Sequence, residues 1–247
     1  IKVISSTFLK KGDEIIMGAH SFSRYEDNAL LMGATVVKTS MENLTIELDA
    51  MEKAITDKTK IIYLCNPNNP TGSSFGKDAF EGFIAKVPKD VMIIVDEAYR
   101  EYVTREDYFD ATSYLEEYQN LIVLRTFSKA YGMASLRVGY GFANEELAGY
   151  FYRVVDPFDV NLFAQEAAVA ALRDEEFLGE VVAENTKGKE FFYNELEAMG
   201  LLTQIDMAAF AGYCQAYARW KEAEEFISKH GSILKTSSGY IQQIPQV

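Results

Sequence analysis

The sequence predicts an α/β fold, a three-layer, mostly parallel sheet covered by helices and followed by a small α+β C-terminal domain. Three observations predict it. Ile61–Cys65, Val91–Val95 and Leu121–Leu124 are unbroken apolar runs, as expected of strands buried on both faces. Between them lie segments of helical period, and strand–helix alternation marks a parallel sheet. Each run also ends in polar residues: the turn cluster Asn66-Pro67-Asn68-Asn69-Pro70-Thr71-Gly72, then Asp96-Glu97, then Thr126. Right-handed crossovers bring such ends to one edge of the sheet, outside which open α/β sheets bind their ligands.

The elements follow in order. Ile1–Leu9 has apolar residues at helical intervals and reads as the second half of a helix, stopped by Lys11-Gly12-Asp13. Glu14–Met17 is a short strand, Tyr25–Met32 a helix closed by Gly33, and Thr35–Lys38 a strand. Leu48, Met51, Ala54 and Ile55 share one face of an amphipathic helix. A helix over Lys77–Lys86 links the first two apolar runs, and a short one at Tyr114–Tyr118 precedes the third. Val138–Phe142 is a further strand.

Beyond it the alternation gives way to helices at Glu145–Val154, Asn161–Leu172 and Phe177–Met199, with a break at Asp156-Pro157. The tail reads as strands near Leu202, at Gly212–Ala218 and at Ile233, with a helix at Lys221–Lys229. This change places a boundary between about 155 and 172. We assign 1–155 to a large ligand-binding domain and 156–247 to a linker helix and small domain.

Composition narrows the function classes. A formal net charge of −13 argues against nucleic acid as a partner. No apolar run approaches a membrane span, and the first residues lack the layout of a secretory signal. Cys65 and Cys214 have no metal or redox spacing, and His20 and His230 are the only histidines, so no metal site is expected and a reducing, cytoplasmic setting is the default. The absence of an initiator Met and the abrupt apolar start suggest a trimmed chain.

The chemistry concentrates after Leu124. Thr126-Phe127-Ser128-Lys129 sets small hydroxyls around one amine, and Arg137 follows eight residues later. Hydroxyls and a guanidinium suit a phosphate, while a lysine whose surroundings hold its amine neutral suits covalent capture of an aldehyde. Pyridoxal 5'-phosphate satisfies both demands. Asp96, just past a buried strand, would pair with its pyridine nitrogen so that the ring accepts electrons. Tyr99 and Asn69 would reach its phenolic oxygen, and Phe22 would stack on the ring. Cys65 is most simply a small core residue, His20 a loop residue, and Glu97 and Glu101 structural.

The motifs NPNNPTG (66–72), DEAYREY (96–102), RTFSKAYGMASLRVGY (125–140) and VVDPFDVNLFAQEAAVAAL (154–172) resemble fold-type I pyridoxal-phosphate enzymes. The match is to aminotransferase class I/II over roughly residues 10 to 200, nearest the histidinol-phosphate aminotransferase branch of histidine biosynthesis. The resemblance implies that Lys129, Asp96 and Tyr99 are catalytic, with Lys129 bonded to the cofactor and carrying its proton. It implies that Asn69, Asp96 and Tyr99 hold the ring, that Thr126, Ser128 and Arg137 hold the phosphate, and that Phe22 covers the ring. The substrates would be an amino donor, histidinol phosphate or an aromatic amino acid, and a 2-oxo acid, in a homodimer that shares its active sites.

Three departures stand out. The family's N-terminal arm and Gly-Ser phosphate loop would precede Ile1. Ser135 stands where the branch usually has Gly. The arginine expected to grip a substrate carboxylate is absent, Gln242 being the best-matching position and Lys235 the nearby cation. A lyase or decarboxylase on this fold would show the same motifs, and an inactive binding protein could retain them.

Overall fold

The computed structural model describes residues 1–199, 233–235 and 241–243. By its contacts the chain divides into two compact units, Ile1–Ala183 and Glu184–Val247. In order, the elements of the first unit are α1 (Lys2–Phe8), β1 (Glu14–Gly18), α2 (Arg24–Leu31), β2 (Thr35–Thr39), β3 (Met41–Glu42), β4 (Thr45–Ile46), α3 (Leu48–Lys53) and β5 (Thr59–Cys65). They continue with α4 (Lys77–Ile84), β6 (Met92–Asp96), β7 (Leu121–Thr126), β8 (Gly139–Phe142), α5 (Glu145–Phe151) and α6 (Leu162–Ala171). Helix α7 (Glu175–Ala198) follows, and in the second unit β9 (Ile233–Lys235) pairs antiparallel with β10 (Ile241–Gln243). The remaining tail elements expected from the sequence, near Leu202, at Gly212–Ala218 and at Lys221–Lys229, lie outside the described residues.

The main sheet has six strands in the order β2-β1-β5-β6-β7-β8. Every neighbouring pair is parallel except β7 and β8 at the edge. The mostly parallel α/β architecture expected from the apolar runs is therefore present. The alternation of side chains along each strand sorts them into two cores. On one face Ile62, Leu64, Ile93, Val95, Leu121 and Val123 pack with Met51, Phe80 and Phe83. On the other, Ile61, Tyr63, Cys65, Ile94 and Ile122 pack with Ile4, Tyr25 and Ala29. The same alternation carries Asp96 to the face of Ile94, and Glu97 to the face of Val95.

Local chemistry sets the ends of these elements. Gly33, at φ +74, terminates α2 in the left-handed region open to glycine. The side chains of Asn144 and Asn161 accept hydrogen bonds, both 2.9 Å, from the N–H groups of Leu147 and Ala164 and so cap α5 and α6.

Some elements differ from the sequence reading. Residues Tyr114–Tyr118 do not form an α-helix. A 3₁₀ turn spans Ala111–Tyr114 instead, capped by Asp110, whose side chain accepts from the Thr112 N–H. The Asp110 carboxylate competes for nearby N–H groups and favours a tight turn. Helix α5 stops at Phe151, three residues short of Val154. The β3–β4 hairpin was not anticipated. It is only two residues on each side, and its turn residues Asn43 and Leu44 both have positive φ. Ala164 and Ala168 of α6 are buried against Phe127 and Val138, within the unit that runs from Ile1 to Ala183.

Candidate active site

Asp96 is the last residue of β6 rather than the first beyond it. It is 8% exposed. Its Oδ2 accepts from the Tyr25 hydroxyl at 2.7 Å and its Oδ1 from the Ala98 N–H at 3.2 Å. Burial pushes the Asp96 carboxyl above the ordinary carboxylate range, while these two donors and the charge of Lys129 draw it back. A carboxylate has about four acceptor sites, so two hydrogen bonds leave it able to meet a further donor, and a cation there would offset the desolvation.

The loop after β5 is organised by its asparagines. Asn66 closes it, donating to the Phe75 carbonyl at 3.2 Å and accepting from the Phe75 N–H at 3.1 Å. Asn68 is 3% exposed and works as a hub. It donates to the His20 carbonyl and to Thr71 Oγ1, both at 2.8 Å, and accepts from Ser21 Oγ at 2.7 Å. This ties the loop that carries Phe22 to the loop that carries Asn69. Asn69 then donates through Nδ2 to the Tyr99 hydroxyl at 3.0 Å.

The segment after β7 completes the group. Phe127 is buried, its ring 5.1 Å from those of both Tyr131 and Tyr140, and anchors the loop. The Ser128 N–H donates to Thr126 Oγ1 at 3.1 Å. Gly132, at φ +68, turns the chain so that its N–H meets the Lys129 carbonyl at 2.9 Å. Lys129 Nζ lies over the Tyr99 ring, 5.0 Å from its centroid, a cation–π distance.

Lys129, Asn69 and Tyr99 are thus linked directly, and Thr126 and Ser128 share a turn. Phe22 is half-buried. Its ring stands edge-on to Tyr25 at 5.6 Å, because the Asn68 hub draws its loop inward. Arg137 is exposed and sits at φ 56, in the left-handed region. Its guanidinium donates to the Ala134 carbonyl of its own loop at 2.6 Å. Ser135 is exposed beside it. Gln242 lies in β10, and its side chain is outside the described residues.

Three contributors escaped the sequence reading. Tyr25 opens a helix in the sequence pattern, yet it lies three residues after Phe22 and meets its ring edge-on. Asn68 looked like turn composition. Arg125 was passed over inside an apolar strand. Its Nε and one terminal nitrogen are both 2.8 Å from Glu97 Oε2, and that terminal nitrogen is 2.6 Å from Asp110. Strand alternation would have found it, since Arg125 shares the buried face of Val123.

The described residues contain no helix long and apolar enough to cross a membrane and no cluster of three or more metal-ligating groups. A parallel sheet with convergent acid, amine and hydroxyl groups at one edge defines the class of open α/β proteins that bind at strand ends. The chain belongs to the aminotransferase class I and II family, whose model matches residues 1–243. It is 48% identical over 201 residues to histidinol-phosphate aminotransferase 2 of Hydrogenovibrio crunogenus, covering 81% of this chain and 54% of that protein. The chain spans about half the length of the curated relatives it matches. Among solved structures, the histidinol-phosphate aminotransferase from Clostridium acetobutylicum superposes with a TM-score of 0.72 at 27% identity, over 80% of this chain and 58% of that one. The enzyme of the same description from Sinorhizobium meliloti, solved in complex with pyridoxal-5'-phosphate, gives 0.77 at 23% identity, over 93% and 63%, and supports the fold.

Proposed function

We propose that this chain forms the cofactor-binding part of a pyridoxal-phosphate-dependent aminotransferase, which moves an amino group from an amino donor to a 2-oxo acid. Histidinol phosphate or an aromatic amino acid is the donor in this reading, and the names of the curated relatives support the first. The observation that carries the reading is the buried Asp96 carboxylate at a strand end, with acceptor capacity to spare and Lys129 as a nearby charge.

The donor set fits the cofactor. A carboxylate suits its ring nitrogen, an amide and a phenol suit its ring oxygen, and hydroxyls with a guanidinium suit its phosphate. Bound there, pyridoxal phosphate would supply an aldehyde to receive the amine and a ring to accept electrons. Asp96 would keep the ring nitrogen protonated. Asn69 and Tyr99 would hold the ring oxygen, and Phe22 would cover one ring face. Thr126, Ser128 and Arg137 would hold the phosphate. Lys129 would retain the aldehyde carbon and carry a proton on Nζ, helped by the Tyr99 ring beneath it. Exposed apolar side chains at Phe158, Leu162 and Phe163 are consistent with a homodimer. A cytoplasmic setting goes with the same reading.

The test is chemical trapping. Borohydride should fix pyridoxal phosphate to the peptide containing Lys129, and an added amino donor should convert the cofactor to its pyridoxamine form. Trapping at another lysine would sink the site, and release of carbon dioxide from an aromatic amino acid used as donor would replace transfer by decarboxylation.

A further inference from the structure

We infer that Tyr25 is a positioning residue of this site, its phenol fixing the Asp96 carboxylate through Oδ2 from inside the protein. The inference rests on the cofactor reading above and adds to it a residue outside the four motifs. Three observations support it. Tyr25 is fully buried, and its hydroxyl donates to Asp96 at 2.7 Å across 71 residues of sequence. Its ring is stacked on Tyr63, 4.3 Å between centroids and 8° from parallel, so the phenol has one available orientation. Tyr63 is in turn held through its hydroxyl, 3.3 Å from Ser5 Oγ of α1. The chain Ser5–Tyr63–Tyr25–Asp96 therefore joins α1, β5 and α2 to the end of β6. All of it lies on the sheet face that receives Asp96.

The direction of the effect follows from the groups around Asp96. The ionisable ones are Tyr25, Tyr63, Cys65 and Lys129. Burial, reinforced by the Asp96 charge, holds Tyr25 well above the ordinary phenol range. Burial likewise pushes Tyr63 and Cys65 up to about 12. These three stay protonated through the acid and neutral range, and Tyr25 stays a donor. Lys129 stabilises the carboxylate in every variant alike, so a change at Tyr25 reads its own hydrogen bond. A bond to the charged form favours that form. Losing it raises the pH at which Asp96 takes up a proton. Once neutral, Asp96 no longer pairs with a ring cation.

The experiment has two arms. In the chain without cofactor, isotope-labelled aspartate carboxyl resonances are followed by NMR through the acid range, Asp96 being assigned by its loss in Asp96→Asn. Tyr25→Phe should raise the Asp96 midpoint by about one pH unit, the worth of a hydrogen bond to a charged group. A ring-fluorinated tyrosine at position 25, a stronger donor of the same shape, should lower it. Tyr63→Phe removes an equally buried hydroxyl without touching Asp96 and should leave it in place. An unmoved midpoint in Tyr25→Phe, or an equal move in Tyr63→Phe, would overturn the inference. If Tyr25→Phe does not fold, the fluorinated chain decides alone, and a midpoint that fails to fall overturns it. In the second arm, pyridoxal phosphate affinity is titrated against pH, and its acid limb should move with the carboxyl. If affinity in the unsubstituted chain follows Asp96 while Tyr25→Phe leaves the carboxyl unmoved, only the role of Tyr25 falls. An affinity indifferent to Asp96 ionisation in every variant would overturn the cofactor reading, and that role with it.

Discussion

Arg125→Met tests the scaffold beneath the site. Glu97 is 1% exposed and Arg125 11% by side chain. The Arg125 guanidinium holds Glu97 through two contacts at 2.8 Å and lies over the Phe142 ring, 5.1 Å from its centroid. Methionine fills much of the same volume but leaves the Glu97 carboxylate buried without its main partner. Breaking a buried pair in this way costs about 3–5 kcal/mol. The lower end applies, about 3 kcal/mol, because Glu97 keeps the Ala111 N–H at 3.0 Å and Arg100 at 3.8 Å. The contact to Asp110 adds little, since that carboxylate is 43% exposed.

The loss depends on pH. Burial already lifts the Glu97 carboxyl above its ordinary value of 4.5, opposed by the Ala111 N–H and Arg125. Removing Arg125 lifts it further. A folded-state value above the unfolded one leaves stability intact below the unfolded value and lowers it progressively as pH rises through the folded one. The deficit of Arg125→Met should therefore be small at and below the ordinary carboxylate value and grow as pH rises through the folded one. Urea unfolding of both chains at about pH 4 and about pH 8 reads it directly, the lower point lying below the ordinary carboxylate value. Adding Glu97→Gln should recover most of the loss. A deficit under about 1 kcal/mol, or one equal at both pH values, would refute an uncompensated buried charge as its cause.

Other substitutions probe the proposed cofactor contacts. Asp96→Asn should leave the thermal midpoint nearly unchanged while slowing amino transfer about 10²–10³-fold, as loss of a preorganised charge does; near-normal turnover would count against its role. Arg137→Ala should weaken pyridoxal phosphate binding by roughly 2–5 kcal/mol if the guanidinium meets the phosphate. An unchanged affinity in titrations of the cofactor-free chain would make Arg137 a turn residue that bonds its own loop.

Much of the fold was legible because three apolar runs, buried on both faces, carry a strong local signal. The ends of those runs also located Asp96 and Thr126, and the turn cluster located Asn69. What escaped the sequence depends on long-range partners. Tyr25 meets Asp96 across 71 residues and Asn68 meets Ser21 across 47, and neither pairing leaves a periodic trace. The two-residue strands of the hairpin are too short for any period to show. Residues 111–114 form a 3₁₀ turn because Asp110 caps the Thr112 N–H, a local competition that apolar spacing does not register.

The adjacent carboxylates Asp96 and Glu97 show how one strand end serves two purposes. Sequence alone makes them near equivalents, and the resemblance singles out only the first. Alternation across the sheet sends Asp96 to the face of Tyr25, Tyr63 and Cys65, and Glu97 to the face of Val95 and Val123. There the chemistry diverges. Glu97 meets a guanidinium from the next strand, so its charge is neutralised within the scaffold. Asp96 meets a phenol and a backbone N–H, neutral donors that orient the carboxylate without cancelling its charge. A buried carboxylate oriented but not neutralised by its hydrogen-bond donors is suited to an incoming cation, whereas one already paired with arginine is not. Arg125 and Thr126 repeat the division on β7, the first facing Glu97 and the second the side of Asp96. The ion pair thus fixes the relative register of the two strand ends from one face, while the other face keeps the groups proposed to hold the cofactor.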